Sequence, residues 1–334
     1  MADGVNDSVE AAAMARALEL AASVRATATP NPWVGCVVEP GGFEGATNPP
    51  GGPHAEAVAL AAAGEAARGA TLFTTLEPCA HHGRTPPCVD AIVAAGVRRV
   101  VVGVIDPDPQ VAGAGLRALV AAGIQVDTGV GTAAVASQLA PYLKHRTTGR
   151  PWVILKLATT LDGRTAAPDG SSRWITGPEA RDDVHRLRAE SDAVLVGAGT
   201  VRADDPALTV RHEEIVSDEA GQPLRVVLGQ VSEEARVQPA VALDGDLGEA
   251  LDDLGNRGVL QVLVEGGATV AGAFHRAGLV DRYVFYLAPA LLGGDDGRPV
   301  LAGAGAPTMT EAWRGRIVSV RPLGGDLRVE LAGD

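Results

Sequence analysis

Pro53-His54-Ala55-Glu56, followed by Thr75-Leu76-Glu77-Pro78-Cys79-Ala80-His81-His82-Gly83-Arg84-Thr85-Pro86-Pro87-Cys88, is the pair of segments from which the rest of the chain can be read. The first opens an Ala-rich stretch of helical character, and the second joins a short apolar run to another such stretch. Among their residues, His54, Glu56, Cys79 and Cys88 can converge only through the fold. A hydrolytic zinc centre needs three protein ligands and one position open to water, and His54, Cys79 and Cys88 meet that count. Glu56 is then left unliganded, suited to carry protons between water and a substrate. Zinc brings the pKa of bound water from about 15.7 to about 7, which makes hydroxide available at neutral pH. His54 and Cys88 each open a predicted helix, where the N-terminal dipole favours thiolates. Cys36 lies inside an apolar strand and reads as a small core hydrophobe. A lone His-x-Glu is ordinarily a buried histidine beside a surface acid; the Pro-Cys at the next strand-to-helix junction sets this one apart.

Working outward, short apolar runs alternate with Ala-rich stretches. Strands are predicted over 33 to 39, 71 to 75, 100 to 105 and 124 to 127, and helices over 54 to 63, 87 to 95 and 113 to 122. Asp7 and Glu10 form a capping-box pattern that starts an earlier helix, running to about Arg25. This is an α/β pattern with a largely parallel sheet covered by helices. A polar-faced helix over 131 to 150 ends in Thr147-Thr148-Gly149-Arg150-Pro151, punctuation that divides the chain into domains 1–149 and 150–334. Beyond it, strands are predicted over 152 to 158, 193 to 197, 224 to 228, 260 to 264, 282 to 287, 316 to 322 and 326 to 331. Helices are predicted over 178 to 189, 247 to 254 and 269 to 276.

Composition narrows the function classes. At 334 residues the chain exceeds one ordinary core of about 100 to 200 residues. A formal net charge of −13 repels phosphate backbones and anionic lipid, and 3% aromatic content leaves few stacking platforms, so neither nucleic acid nor a membrane is an expected partner. No segment approaches the roughly 18 consecutive apolar residues of a membrane helix, and no basic stretch leads into an apolar run near the start. Three cysteines are too few for a disulfide framework and suit a reducing cytoplasm.

The eight residues between Cys79 and Cys88 depart from the two that are commonest in zinc deaminases. His-x-Glu, then Pro-Cys, then the run from His81 to Pro87 and a second Cys resembles the bifunctional deaminase-reductase family of bacterial riboflavin biosynthesis. Pro30-Asn31-Pro32-Trp33-Val34-Gly35 and the Asp-Pro-x-Pro-x-Val-x-Gly run at 106 to 113 carry the same likeness, which extends from about residue 8 to 331. The resemblance implies an N-terminal cytidine-deaminase-like three-layer domain that holds Zn2+. It also implies substrate contacts from Asn31, from His81 or His82, from Arg84 and from the Asp106 loop. Thr47 stands where the family usually has His, Asp108 where it usually has Asn, and the hairpin between Val38 and Gly45 is short for the family.

Residue by residue, the second half offers glycine-bearing strand-to-helix junctions. Gly197-Ala198-Gly199-Thr200-Val201 lacks the third glycine of the dinucleotide fingerprint. Val264-Glu265-Gly266-Gly267-Ala268-Thr269 could receive a pyrophosphate at a helix start. Each alone is more often a tight turn than a phosphate site. Lys156 lies among apolar strand residues, where an unpaired ammonium is costly, so it is expected to face a ligand or Asp204. Together with 171 to 177 and 197 to 211, these runs resemble the reductase half of the same family, implying a C-terminal dihydrofolate-reductase-like domain. By that resemblance Ala158, Trp174, Thr200, Asp204, Gly267, Ala268, Thr269, Val270, Ala271, Gly272 and Ala273 would hold NADPH. Ser172, Arg188, Leu208, Arg211 and Glu265 would hold a phosphorylated sugar, with both arginines expected on the phosphate, and Lys156 and Asp204 would join Glu56 in catalysis. The implied reactions are deamination of 2,5-diamino-6-(5-phosphoribosylamino)pyrimidin-4-one and NADPH-dependent reduction of its ribosyl group, by a homodimer. A deaminase-reductase for another base or sugar would use the same residue types. A reductase fused to a structural zinc module is the contrasting reading, and Glu56 speaks against it, because a structural zinc site has no use for an unliganded acid.

Overall fold

Apolar runs become strands, and the Ala-rich runs become the helices that cover them. The computed structural model describes residues 2–83, 85–109, 111–212 and 221–333, and of residues 2–7 the backbone alone. The chain divides into two units, Met1–Gly149 and Arg150–Asp334.

The first unit contains α1 (Ala2–Ser23), α2 (Arg25–Ala28), β1 (Gly35–Glu39), β2 (Phe43–Ala46), α3 (Ala55–Ala63), β3 (Thr71–Leu76), α4 (Cys88–Ala95), β4 (Arg99–Val104), α5 (Ala114–Ala121), β5 (Gln125–Thr128), α6 (Thr132–Gln138) and α7 (Ala140–Thr148). Its sheet has the order β2-β1-β3-β4-β5. Helix α1 starts at Ala2 and not at Asp7. Strand β1 runs antiparallel to both β2 and β3, while β3, β4 and β5 are parallel, so the expected parallel sheet is mixed at one edge. Gly41 and Gly42, at φ of +122° and +62°, close β1 directly onto β2, and a link that short can join only antiparallel strands. The single helix expected over 131 to 150 is two, divided at Leu139; Pro141 lies in the first turn of α7, where its missing N–H costs nothing.

Two glycines set the layers. In the β1–β2 register Gly35 pairs with Ala46 and Cys36 with Gly45, so Gly35 and Gly45 face opposite sides of the sheet. A Cβ on Gly35 would lie 1.8 Å from the Ala17 carbonyl oxygen of α1, and one on Gly45 would lie 2.1 Å from that of Ala55 in α3. Helices α1 and α3 thus rest backbone-close on the two faces, with Met14, Ala17 and Ala21 of α1 buried.

The second unit contains β6 (Trp152–Thr160), β7 (Arg164–Ala166), α8 (Pro178–Ala189), β8 (Ala193–Gly197), α9 (Ala198–Asp204), β9 (Leu224–Leu228), β10 (Val241–Leu243), α10 (Leu247–Asn256), β11 (Gln261–Val264), α11 (Ala268–Arg276), β12 (Arg282–Ala288), β13 (Arg298–Pro299), β14 (Gly315–Leu323) and β15 (Asp326–Gly333). Eight strands form one sheet in the order β10-β9-β8-β11-β6-β12-β15-β14, parallel from β10 to β12 and antiparallel thereafter. Strand β6 shows the period of two: Val153, Leu155 and Leu157 enter a core with Leu254 and Phe274, while Ile154 enters the opposite core with Val184 and Tyr286. Strands β7, β10 and β13 and helix α9 were not expected from the sequence. Among the described residues, no helix is long and apolar enough to cross a membrane.

Replacing Gly45 by Ala should therefore force β2 and α3 apart, at a cost of about 1 to 3 kcal/mol, and displace the helix start that carries His54 and Glu56. Urea unfolding should show a lower midpoint at unchanged slope; an unchanged midpoint would show that the two backbones have room to spare.

Candidate metal centre and active sites

Three junctions meet at one point in the first unit. His54 is the N-cap of α3, Cys88 is the first residue of α4, and Cys79 lies just beyond the end of β3. Their ligand atoms all lie within 4.8 Å of one another. His54 Nδ1 is 3.6 Å from Cys79 Sγ and 3.3 Å from Cys88 Sγ. Tetrahedral zinc with Zn–S of about 2.3 Å and Zn–N of about 2.0 to 2.1 Å separates N from S by roughly 3.5 Å, so the donors fit that ion in both type and spacing. The backbone N–H of Cys88 donates to Cys79 Sγ at 3.4 Å. The Cys88 thiol and the His54 ring beside it hold the Cys79 thiol well below its usual range, and contact with Cys79 pushes Cys88 the other way. His54 Nε2 faces Thr85 Oγ1 at 3.2 Å, which leaves Nδ1 for the metal.

Glu56, in the first turn of α3, is 4% exposed and accepts from Cys88 Sγ at 3.4 Å. Burial pushes its carboxyl above the usual range. It adjoins a cleft of about 360 Å³ that is also lined by Asn31, Thr47, His81, Thr85, Asp106, Asp108, Tyr142 and Arg146. Of the two candidate histidines, His81 lines this cleft and His82 is exposed outside that lining; Arg84 falls outside the described residues. Thr47 Oγ1 accepts from Val34 N at 3.0 Å and so ties the strands together, offering no titratable group.

Glu77, at the end of β3, links the two sides of this cleft. Its carboxylate is 4% exposed and accepts the backbone N–H groups of Asp106 (3.2 Å), Gly113 (2.9 Å), Gly115 (2.9 Å) and Leu116 (3.4 Å). Tyr142 donates to Asp106 Oδ2 at 2.9 Å, and Asp106 Oδ1 accepts from Asp108 N at 2.9 Å. Glu77, Thr85, Tyr142 and Arg146 were not singled out in the sequence. An acid at the end of an apolar strand was the available signal for Glu77, and the four-residue spacing of Tyr142 and Arg146 on one helix face was the signal for that pair.

In the second unit the candidates gather at the carboxyl ends of the parallel strands, where such sheets place their ligands. Glu265, its side chain 9% exposed, accepts from Arg188 Nε at 2.5 Å and Nη2 at 3.0 Å, while Arg188 Nη1 donates to the Thr209 carbonyl at 3.0 Å. Burial alone would raise the Glu265 carboxyl, but the adjacent guanidinium brings it down to about 2. Lys156 Nζ lies 3.9 Å from Glu265, and burial lowers its ammonium. Of the two expectations for Lys156, a ligand or Asp204, the second is not met among the described residues, where its neighbouring acid is Glu265. Leu155 pairs with Val264 across the sheet, which puts Glu265 opposite Lys156, whereas Asp204 ends α9 and lies 3.7 Å from Arg173 Nη2.

Ala158 is on β6, Ser172 is half-buried, and Trp174 is 71% exposed with the Arg181 guanidinium 4.5 Å from its ring centre. Arg211 is exposed. Leu208 is 3% exposed and sits at φ of +55°, a left-handed conformation rare for a branched side chain. Gly267 caps α11 and donates its N–H to Thr200 Oγ1 at 3.3 Å. The first turn of α11, at Gly267, Ala268 and Thr269, can present N–H groups to a pyrophosphate. Ala271 is fully buried and donates its N–H to the Gly267 carbonyl at 3.0 Å, and a Cβ on Gly272 would lie 2.0 Å from the Ala302 carbonyl oxygen. Val270 packs against Gly197 and Gly266, and Ala273 is half-buried further along the helix.

Fold and site together define a two-domain enzyme with a zinc-binding deaminase unit followed by a reductase unit. Residues 7–104 match the cytidine and deoxycytidylate deaminase zinc-binding region, and residues 151–329 match the RibD C-terminal domain. The riboflavin biosynthesis protein RibD of Escherichia coli K12 is 42% identical over 96% of this chain and 98% of its own length. That of Mycobacterium tuberculosis H37Rv is 46% identical over 96% of each. The crystallised Acinetobacter baumannii RibD (form 1) superposes with a TM-score of 0.91 at 40% identity, covering 97% of this chain and 99% of that one. A Thermotoga maritima structure described as a diaminohydroxyphosphoribosylaminopyrimidine deaminase/5-amino-6-(5-phosphoribosylamino)uracil reductase gives 0.86 at 34% identity, covering 98% and 100%. The chain belongs to the RibD family. Its first unit is the cytidine-deaminase-like three-layer fold and its second the dihydrofolate-reductase-like fold.

Because Thr85 is the partner of the outer nitrogen of His54, Thr85→Val should weaken zinc binding by roughly 10-fold to 100-fold. Competition against a chromophoric chelator measures this; wild-type affinity in the variant would show that the hydroxyl does not orient the ring.

Proposed function

We propose that Met1–Gly149 hydrolyses the 2-amino group of 2,5-diamino-6-(5-phosphoribosylamino)pyrimidin-4-one to the uracil and ammonia, and that Arg150–Asp334 then reduces the ribosyl group to ribityl with NADPH. The observation that carries the first half is a three-donor cluster with a buried, unliganded carboxyl, Glu56, in contact with one of the donors. Zinc held by His54, Cys79 and Cys88 would supply an activated water at neutral pH. Glu56 takes one proton from the attacking water and passes it to the ring nitrogen, then takes the proton of the hydroxyl so formed and passes it to the departing amine as the C–N bond breaks. Its raised pKa suits both directions of transfer. Asn31 and His81 on the same cleft orient the ring.

In the reductase unit NADPH would supply the hydride to C1 of the ribosyl group. The first turn of α11 and Thr200 would hold its pyrophosphate, and Ala158 and Trp174 would help to hold the cofactor. Lys156, its ammonium made more acidic by burial, protonates the sugar oxygen as the ring opens. Asp204 acts through Arg173, whose Nη2 donates to the Asp204 carbonyl at 3.2 Å, and so positions the Ser172–Trp174 loop. Arg211 meets the 5′-phosphate, while Arg188 keeps Glu265 in place beside Lys156.

The working form is a homodimer joined through the reductase unit. Support comes from β14, which ends the eight-stranded sheet and exposes Ile317 and Val320. A sedimentation mass of one chain would refute it. The cytoplasm is the compartment, since Cys79 and Cys88 bind metal only as thiols kept reduced; recovery of active protein from an oxidising compartment would refute that.

Ammonia release from the diaminopyrimidine by the zinc-loaded chain, followed by NADPH oxidation, tests the whole reading. Glu56→Gln should retain zinc, lose deamination by a factor on the order of 10² or more, and still reduce the deaminated substrate. Normal turnover by that variant would remove Glu56 from the chemistry. The two arginines should separate. Arg211→Ala should raise Kd for the phosphorylated substrate by roughly 10-fold to 150-fold at unchanged stability. Arg188→Ala should strand a buried Glu265 and lower stability by about 3 to 5 kcal/mol. Weaker NADPH binding with intact phosphate discrimination in Arg211→Ala would move that residue to the cofactor site.

A further inference from the structure

The deaminase cleft has a charge problem that one residue can solve. Its described lining carries four carboxyl groups, Glu56, Glu77, Asp106 and Asp108, and one guanidinium, that of Arg146. A phosphomonoester entering this space adds negative charge to it. Glu77 is satisfied by backbone N–H groups, and Asp106 by Tyr142 and the Asp108 N–H. Arg146 lies in the last turn of α7, one turn beyond Tyr142, with its guanidinium 5.0 Å from the Tyr142 ring centre. Its Nε is 3.7 Å from Asp108 Oδ2, beyond hydrogen-bonding distance, and that nitrogen is buried with no hydrogen-bond partner among the described residues. The cation is thus oriented by a ring face and a loose ion pair, and its fork is not saturated. A guanidinium in that state is prepared for an oxyanion that offers two oxygens.

We propose that Arg146 is a specificity-determining residue of the deaminase site that binds the substrate's phosphate, and that Asp108 holds its charge until the phosphate arrives. This rests on the deaminase reading of the cleft and adds to it the end of the substrate that α7 recognises. It also accounts for an acid at position 108: Asp108 keeps Arg146 in place in the free enzyme and competes with phosphate in the complex.

The test measures ammonia release from the phosphorylated and the dephosphorylated diaminopyrimidine by the full zinc-loaded chain and by Arg146→Ala, Arg146→Lys and Asp108→Asn. Arg146→Ala should raise KM for the phosphorylated substrate by roughly 10-fold to 150-fold and leave the dephosphorylated one unchanged. Arg146→Lys should recover part of the loss, and Asp108→Asn should lower KM for the phosphorylated substrate. An equal rise for both substrates in Arg146→Ala would overturn the proposal, since the residue would then serve only to shape the cleft. If the wild-type chain released ammonia from neither substrate, the deaminase reading would fail, and calorimetric titration with ribose 5-phosphate would still decide the role of Arg146. A binding step lost in Arg146→Ala but kept in Arg211→Ala supports it; identical isotherms for wild type and Arg146→Ala overturn it.

Discussion

A carboxylate removed from water is tolerable only where donors take its lone pairs, and Glu77 meets that condition by drawing in the chain that follows β4. Its oxygens receive N–H groups from the Asp106 turn and from the start of α5, so a stretch of chain 29 to 39 residues further along is tied to the end of one strand. The next residues of that strand end are Pro78 and Cys79. One junction therefore fixes a metal donor on one side and the Asp106–Tyr142 wall of the cleft on the other. A Cβ on Gly115 would lie 2.0 Å from the Pro78 carbonyl oxygen, which shows how closely α5 is drawn against this strand end. The geometry around His54 and Glu56 depends on the same principle at the neighbouring helix, where Gly45 lets α3 settle onto β2.

Much of this was legible before the structure. Strands such as Ala193–Gly197 and Leu224–Leu228 are short β-branched and Leu-rich runs between turn residues, and α8 is a clear helical pattern behind Pro178. The metal donors could be picked out because few other chemistries need a His, two Cys and a free acid so arranged. Elements that stayed hidden lack an apolar pattern of their own. Val241–Leu243 is a three-residue strand set in an acidic stretch, and it exists because β9 offers an edge to pair with. Ala198–Asp204 reads as a glycine turn, yet it continues as helix because Gly197 caps it and Val201 finds the core. Thr85 acts by proximity across the fold, which no local spacing reveals, and the spacing of Tyr142 and Arg146 puts them on one helix face without saying what that face meets.

The second unit shows how far charge alone can mislead. Arg188, Lys156 and Glu265 are each recognisable as functional residues, but the sequence does not say which of them neutralise one another. Adjacent strands β6 and β11 put Lys156 and Glu265 side by side, and α8 brings Arg188 to the same carboxylate. The result is a mutually held cluster in which Arg188 is committed to protein partners and Arg211 remains exposed. Desolvation lowers the Lys156 ammonium, and Glu265 partly restores it, so the lysine's acidity is set by how much of Glu265 is already claimed by Arg188.

The left-handed backbone at Leu208 is a strain that its packing has to outweigh. A leucine in that region carries on the order of 1 to 2 kcal/mol of conformational strain that glycine would not. Glycine would fit the same dihedral angles without strain. Glycine would also remove a side chain that packs, almost wholly buried, between the sheet and the segment leading to Arg211, and would free that segment to wander. Losing a buried leucine side chain costs about 2 to 5 kcal/mol, more than the strain relieved, so the chain keeps the more stable residue together with a loop that always presents the same face. A redesign that swapped Leu208 for glycine to relax the backbone would lose strength and aim together.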